Sequence, residues 1–164
     1  MKSPHLLHLG NPRKVKENLA GLLDAAALLR IENEIENNTA RLLELARVHY
    51  RFAIRQSSPQ WRHKVSRFYY AGYHAARALR LYVHGEYSTE VKDHHKFDKL
   101  PNDFPGLSRY TNQLAVLRGD RNTCDYDHLS RAGDLILGTR GAHELVSDFM
   151  RDVTQYLRDR GLRV

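Results

Sequence analysis

The chain has 164 residues, 41% of them hydrophobic and 27% charged, with a formal net charge of +7 and one cysteine. That length fits one domain with one sizeable core, and the composition is globular rather than disordered. No apolar run reaches the roughly eighteen residues that span a membrane, Met1 to Gly10 lacks the apolar core and cleavage site of a signal peptide, and the lone Cys124 excludes an intrachain disulfide, which together fit a cytoplasmic setting.

The elements read as helices throughout. Asn11-Pro12 has the form of an N-cap followed by proline in the first turn, and Val15, Leu19, Leu22, Leu23 and Ala26 then recur at helical spacing. The acidic, Asn-rich stretch from Glu32 to Asn38 is expected to break or bend the chain, with Thr39 opening a second helix along Leu42, Leu43, Ala46, Tyr50 and Ala53. Ser57-Ser58-Pro59 closes it. A third helix carries Trp61, Val65, Phe68, Tyr69, Gly72, Ala76, Leu79 and Val83 on one face and stops at Gly85. The small residues Gly72, Ala75 and Ala76 would let a neighbouring helix approach closely.

Residues 86–106, interrupted by Pro101 and Pro105, read as a loop with one short turn. Leu107 to Leu117 is a fourth helix with Tyr110, Leu114 and Leu117 inward, and Gly119-Asp120 is expected to loosen the chain. The last helix is expected from about Leu129 to Arg160, with Ala132, Leu135, Ile136, Ala142, Leu145, Phe149, Val153 and Tyr156 inward and a kink near Gly138 to Gly141. No strand alternation and no internal repeat is visible. The expected fold is therefore all-α, an antiparallel bundle of four main helices with an additional N-terminal helix. Its expected division is an N-terminal extension over residues 1–38 and a helical bundle over residues 39–164.

The basic residues are 19 Arg and 7 Lys. Arginine presents a planar fork that grips phosphate at two points, so an Arg-rich surface leans toward nucleic acid or a nucleotide. The plain alternative is that these arginines solvate helix faces. Ten histidines invite a search for metal ligands, but no H-E-x-x-H motif, paired cysteine or suitable spacing occurs. A glycine-rich phosphate loop is also missing from the sequence, and neither a metal nor a cofactor is expected.

The segment Arg118-Gly-Asp-Arg-Asn-Thr-Cys-Asp-Tyr-Asp-His128 concentrates charge and polarity. If residues 121–128 continue as helix, Arg121 and His128 return to one face within about 20°. A guanidinium to hold phosphate and an imidazole to move protons can cut RNA, because RNA supplies its own 2′-hydroxyl nucleophile. The other reading is an interhelix junction, in which Asp127 caps the last helix and the arginines pair with Asp120 and Asp125.

Two stretches resemble the HEPN family (higher eukaryote and prokaryote nucleotide-binding domains). Arg67 to Leu79, with Gly85 and His94-His95-Lys96-Phe97 after it, is similar to that family's aromatic helix, glycine turn and downstream histidine. Leu117 to Tyr126 resembles its Leu-Arg-x-x-Arg-x-x-x-Asp-Tyr signature. The likeness covers about residues 39–158 and implies a dimeric helical bundle. Active members are metal-independent endoribonucleases, and many are toxins beside a small nucleotidyltransferase antitoxin. Carried over, Arg121 matches the motif arginine, Asn122 the polar residue after it, and His128 the motif histidine at the longest permitted gap. Tyr126 stands where the shorter gap would place that histidine. Arg118 and Arg121 are the candidate nucleic-acid contacts. The surplus aromatics Tyr70, Tyr73 and Tyr82 on the third helix add to the expectation of a homodimer. The rival to an enzyme is a non-catalytic module that binds RNA, nucleotide or a partner protein.

Overall fold

The computed structural model describes Leu7, residues 10–88 and residues 91–163, with the backbone alone for residues 91–93. Five α-helices account for the elements: α1 (Pro12–Asn18), α2 (Ala25–Arg55), α3 (Trp61–His84), α4 (Leu107–Tyr126) and α5 (Gly138–Asp159). Short 3-10 turns stand at Ser58–Gln60, Val91–Lys96 and Ala132–Asp134, and no strand occurs among the described residues. None of their helices is long and apolar enough to cross a membrane.

The third helix is the central one and packs against α2, α4 and α5. Its expected face is buried: Val65, Phe68, Ala76 and Leu79 are fully shielded from solvent. Gly85 ends it in the left-handed region, at φ +66°, where a side chain would be strained. Asn11 occupies the space a Cβ there would take and donates through its side-chain amide to the His84 carbonyl at 2.6 Å. The same side chain accepts from the Arg13 and Lys14 amides and so caps α1. One residue thus fixes the N-terminal segment to the end of α3.

Two expected boundaries move. The second helix begins at Ala25, capped by Asp24, and runs unbroken across residues 32–38 and across the 38/39 division. Asn costs a helix only about 0.7 kcal/mol relative to Ala, whereas burying an isoleucine contributes about 1.5–3 kcal/mol. Ile31 and Ile35 are buried about two turns and one turn before the buried Thr39, so they continue the stripe instead of ending it. The N-terminal helix is correspondingly shorter, and Leu22 lies outside it, exposed.

At the other end, α4 passes through Gly119-Asp120 without loosening, and α5 starts at Gly138 rather than near Leu129. Ala132 and Ile136, expected inward on that helix, are exposed. The buried carboxylate of Asp120 accepts from the backbone amides of Ile136 and Leu137, each at 2.9 Å, which holds the chain just before α5. At Gly72 the close neighbours are the Phe97 ring from the 86–106 segment, 3.1 Å from where a Cβ would stand, and Val146 of the neighbouring helix α5 at 3.7 Å.

Candidate functional site

The motif residues gather where α4 crosses α3. Arg121 projects from α4 toward the tyrosines of α3. One terminal nitrogen donates to the Tyr70 hydroxyl at 2.9 Å, and the other to the Asn122 side-chain oxygen at 3.1 Å and the Tyr126 hydroxyl at 3.4 Å. Its Nε lies 2.8 Å from the Asp125 carboxylate, an ion pair without a well-aligned hydrogen bond. The guanidinium carbon stands 5.5, 5.6 and 5.3 Å from the ring centres of Tyr69, Tyr70 and Tyr126, within cation–π range. Burial opposes the charge of Arg121, but its bond to Tyr70 and the nearby Asp125 outweigh that and hold its pKa above the ordinary value.

Arg118, one turn earlier, faces away toward the 86–106 segment. It pairs with Asp98 at 3.3 Å and donates more distantly to the carbonyls of His94 and His95. Arg121, Asn122 and Tyr126 therefore converge, while Arg118 anchors a loop.

His128 is not where a continuing helix would put it. The fourth helix stops at Tyr126 because its end is stapled from two sides. Arg62 on α3 donates to the carbonyls of Thr123, Cys124 and Ser130 at 3.2, 2.9 and 2.7 Å. Asp127 is extended and accepts from the Leu129 amide at 3.0 Å and from the Ser130 hydroxyl, forming a turn instead of capping the last helix. His128 sits exposed in that turn. Of the pairings read for a plain junction, Arg121 does meet Asp125, but Asp120 serves backbone amides. Cys124 is buried, which pushes its thiol up to about 12 and leaves it unreactive near neutral pH.

Behind Arg121 lies a group of rings drawn from the aromatic stretch of α3 and from His94, joined by His49, which the sequence did not single out. His49 of α2 stacks on Tyr70 at 5.5 Å and on His74 at 5.3 Å. His94 stacks on Tyr73 at 4.3 Å and shares a 2.8 Å hydrogen bond with the Tyr69 hydroxyl. Burial, then the charge of Arg67, lowers the His49 pKa, and the Arg67 guanidinium donates to its Nδ1 at 3.3 Å. The signal was the spacing of Tyr70, Tyr73, His74 and Arg77, one face of α3 in eight residues. The surplus tyrosines are largely absorbed within one chain: Tyr73 and Tyr82 are buried, and Tyr82 donates to the Arg160 carbonyl at 2.9 Å.

Among the described residues, no three His, Cys, Asp or Glu side chains converge as a metal-holding group. Comparison of the chain with protein-family models, with curated proteins and with solved structures finds no match in any of the three.

His74 sets a pH dependence of stability. Burial first, then the charges of Arg77, His49 and His94, pulls its pKa from 6.5 down to about 3, and its Nδ1 is buried without a partner. Below pH 6.5 the unfolded chain binds a proton here that the folded protein refuses. Stability is thus intact above that pH and falls as pH drops toward 3, by at most about 1.4 kcal/mol per pH unit from this group. Thermal unfolding of wild type and His74→Phe between pH 7 and 4.5 measures it, the variant losing stability less steeply. Equal slopes would remove the assignment.

Proposed function

We propose that the chain is an RNA-directed protein of the HEPN type, its four long helices forming an antiparallel bundle. In this reading it cuts RNA as a homodimer through Arg121 and His128, in the cytoplasm, alongside a small nucleotidyltransferase partner. The observation that carries the reading is the convergence of Asn122, Tyr126 and Tyr70 on the Arg121 guanidinium. Such a held cation is suited to charge developing on a phosphate. The attacking group is the RNA 2′-hydroxyl, which needs only a base to take its proton. The products are a 2′,3′-cyclic phosphate and a free 5′-hydroxyl. Leu129 and Ile136, 78% and 79% exposed, supply apolar surface for a partner copy on the segment that carries His128.

A second reading is a non-catalytic module that binds RNA or a partner through the same site. It is favoured by the end of α4 at Tyr126, which takes His128 off the Arg121 helix face, and by the partners already held by every Arg121 nitrogen.

Incubating purified protein with several RNAs in chelator separates the two. Cleavage to cyclic-phosphate ends, abolished by Arg121→Ala, is the expected result, with DNA bound but intact. Uncut RNA that still binds through Arg121 would leave the binding module. Loss of neither cleavage nor binding on Arg121→Ala would overturn both.

A further inference from the structure

A second basic surface lies on the opposite side of α3, along α2 and α5. Two open depressions of about 330 and 420 Å³ adjoin there and share Tyr50. Their walls carry Arg47 and Lys64 together with Arg140, Arg151 and Arg158 from α5, and no acidic side chain lines either one. The three α5 arginines are eleven and seven residues apart. At 100° per residue these steps bring them back to within about 20° of one face, over about 27 Å of helix.

Where the depressions meet, a ring pair is held ready. The Tyr50 hydroxyl and His143 Nε2 share a 2.8 Å hydrogen bond, and the rings stack at 5.6 Å. The fully buried Phe68 backs both, at 5.7 and 5.4 Å. His143 is exposed, close to the Arg140 end of the groove. The arginines hold charge partners outside the groove, among them Arg140 with Glu144 at 2.8 Å, Arg47 with Glu44 at 3.5 Å, and Arg151 with Asp148 at 3.0 Å and Asp152 at 3.1 Å. Such pairs at the surface are weak and can be exchanged for phosphate.

Positive charge spaced along a helix, with stacking rings near its Arg140 end, is the recognition chemistry of an unpaired nucleic-acid strand: cations follow the backbone and a base lies on the rings. We propose that the α2–α5 groove binds a single-stranded RNA segment, with phosphates on Arg140, Arg151 and Arg158 and a base on the Tyr50–His143 pair. This surface is separate from the Arg121 site and does not depend on catalysis there. Its length of about 27 Å holds roughly eight stacked nucleotides at 3.4 Å each.

The test is fluorescence anisotropy of the full chain with labelled ten-nucleotide RNA and DNA strands, across a salt series. The double variant Arg151→Glu/Arg158→Glu is expected to weaken RNA binding at least tenfold and to reduce the salt slope by about 1.4, since each lost single-strand phosphate contact removes about 0.7. His143→Ala is expected to weaken it several-fold with the slope unchanged. Photo-crosslinking wild type to an iodouridine strand guards against misfolded variants and is expected to label the peptides around Tyr50 and His143. Crosslinks confined to α4 and the tyrosine face of α3, or affinities unchanged in the double variant, would overturn the groove. Arg121→Ala in the same assay keeps the two sites apart. Binding lost there but kept in the groove variants removes the groove alone. Binding lost in the groove variants while wild type cuts no RNA leaves the groove standing without the nuclease.

Discussion

If the chain cuts RNA as proposed, with His128 as the general base, replacing His128 with alanine is expected to slow cleavage by about 10² to 10⁴-fold. The residue is exposed in the turn that follows α4. Its effect on folding is therefore expected to stay within the roughly 0.5 kcal/mol of an ordinary surface change. A rate loss with unchanged thermal stability is then a chemical effect. Tyr126→Phe is the internal control, because Tyr126 is 74% exposed and its hydroxyl accepts from Arg121 at 3.4 Å. A small effect there with a large one at His128 assigns the base to the histidine, and the reverse assigns the role to the tyrosine. Mixing Arg121→Ala with His128→Ala subunits tests where the two groups come from. If one subunit supplies the arginine and the other the histidine, the mixed dimer carries one intact site and regains activity. If both belong to one chain, the mixture stays inactive. The end of α4 at Tyr126 makes this question real, because an unbroken helix would have placed both groups on one face of one chain.

Asp120→Ala is expected to destabilise the protein by about 2–4 kcal/mol, since two part-buried backbone amides, those of Ile136 and Leu137, lose their acceptor at roughly 1–2 kcal/mol each. The carboxylate is 3% exposed, which leaves water little access to replace it. For a chain of this size the melting temperature falls by roughly 2–4 °C per kcal/mol, so a drop of about 5–15 °C in a thermal circular-dichroism scan is the readout. Asp120→Asn keeps one acceptor oxygen and is expected to fall in between. A melting temperature within a degree of wild type for Asp120→Ala would mean that the α4–α5 segment is held by something other than this carboxylate. The same scan bears on function, because the anchored segment carries His128.

The sequence by itself determined what local spacing can encode. The apolar stripe of α3 from Val65 to Leu79 places its buried face correctly, and Gly85 ends that helix because glycine enters the left-handed region without a Cβ penalty. The segment Arg121 to Tyr126 stood out in the sequence as one polar cluster, and the side chains of Arg121, Asn122 and Tyr126 do meet.

Only the tertiary structure decided the boundaries and the second half of the site. The stretch of α2 over residues 32–38 stays helical because Ile31 and Ile35 are buried, a gain that no count of asparagines contains. The end of α4 is set by Arg62, sixty-one or more residues away along the chain from the carbonyls it binds, and the approach to α5 by Asp120, sixteen and seventeen residues from its partners. Helical periodicity reports neighbours three and four residues apart, so pairings of that reach leave no mark in it. The same holds for the rings behind Arg121. Tyr70 meets it across fifty-one residues, and His49 comes from a different helix. Tyr70 stood out as a surplus aromatic but His49 did not, and they become one cluster only when α2, α3 and α4 pack.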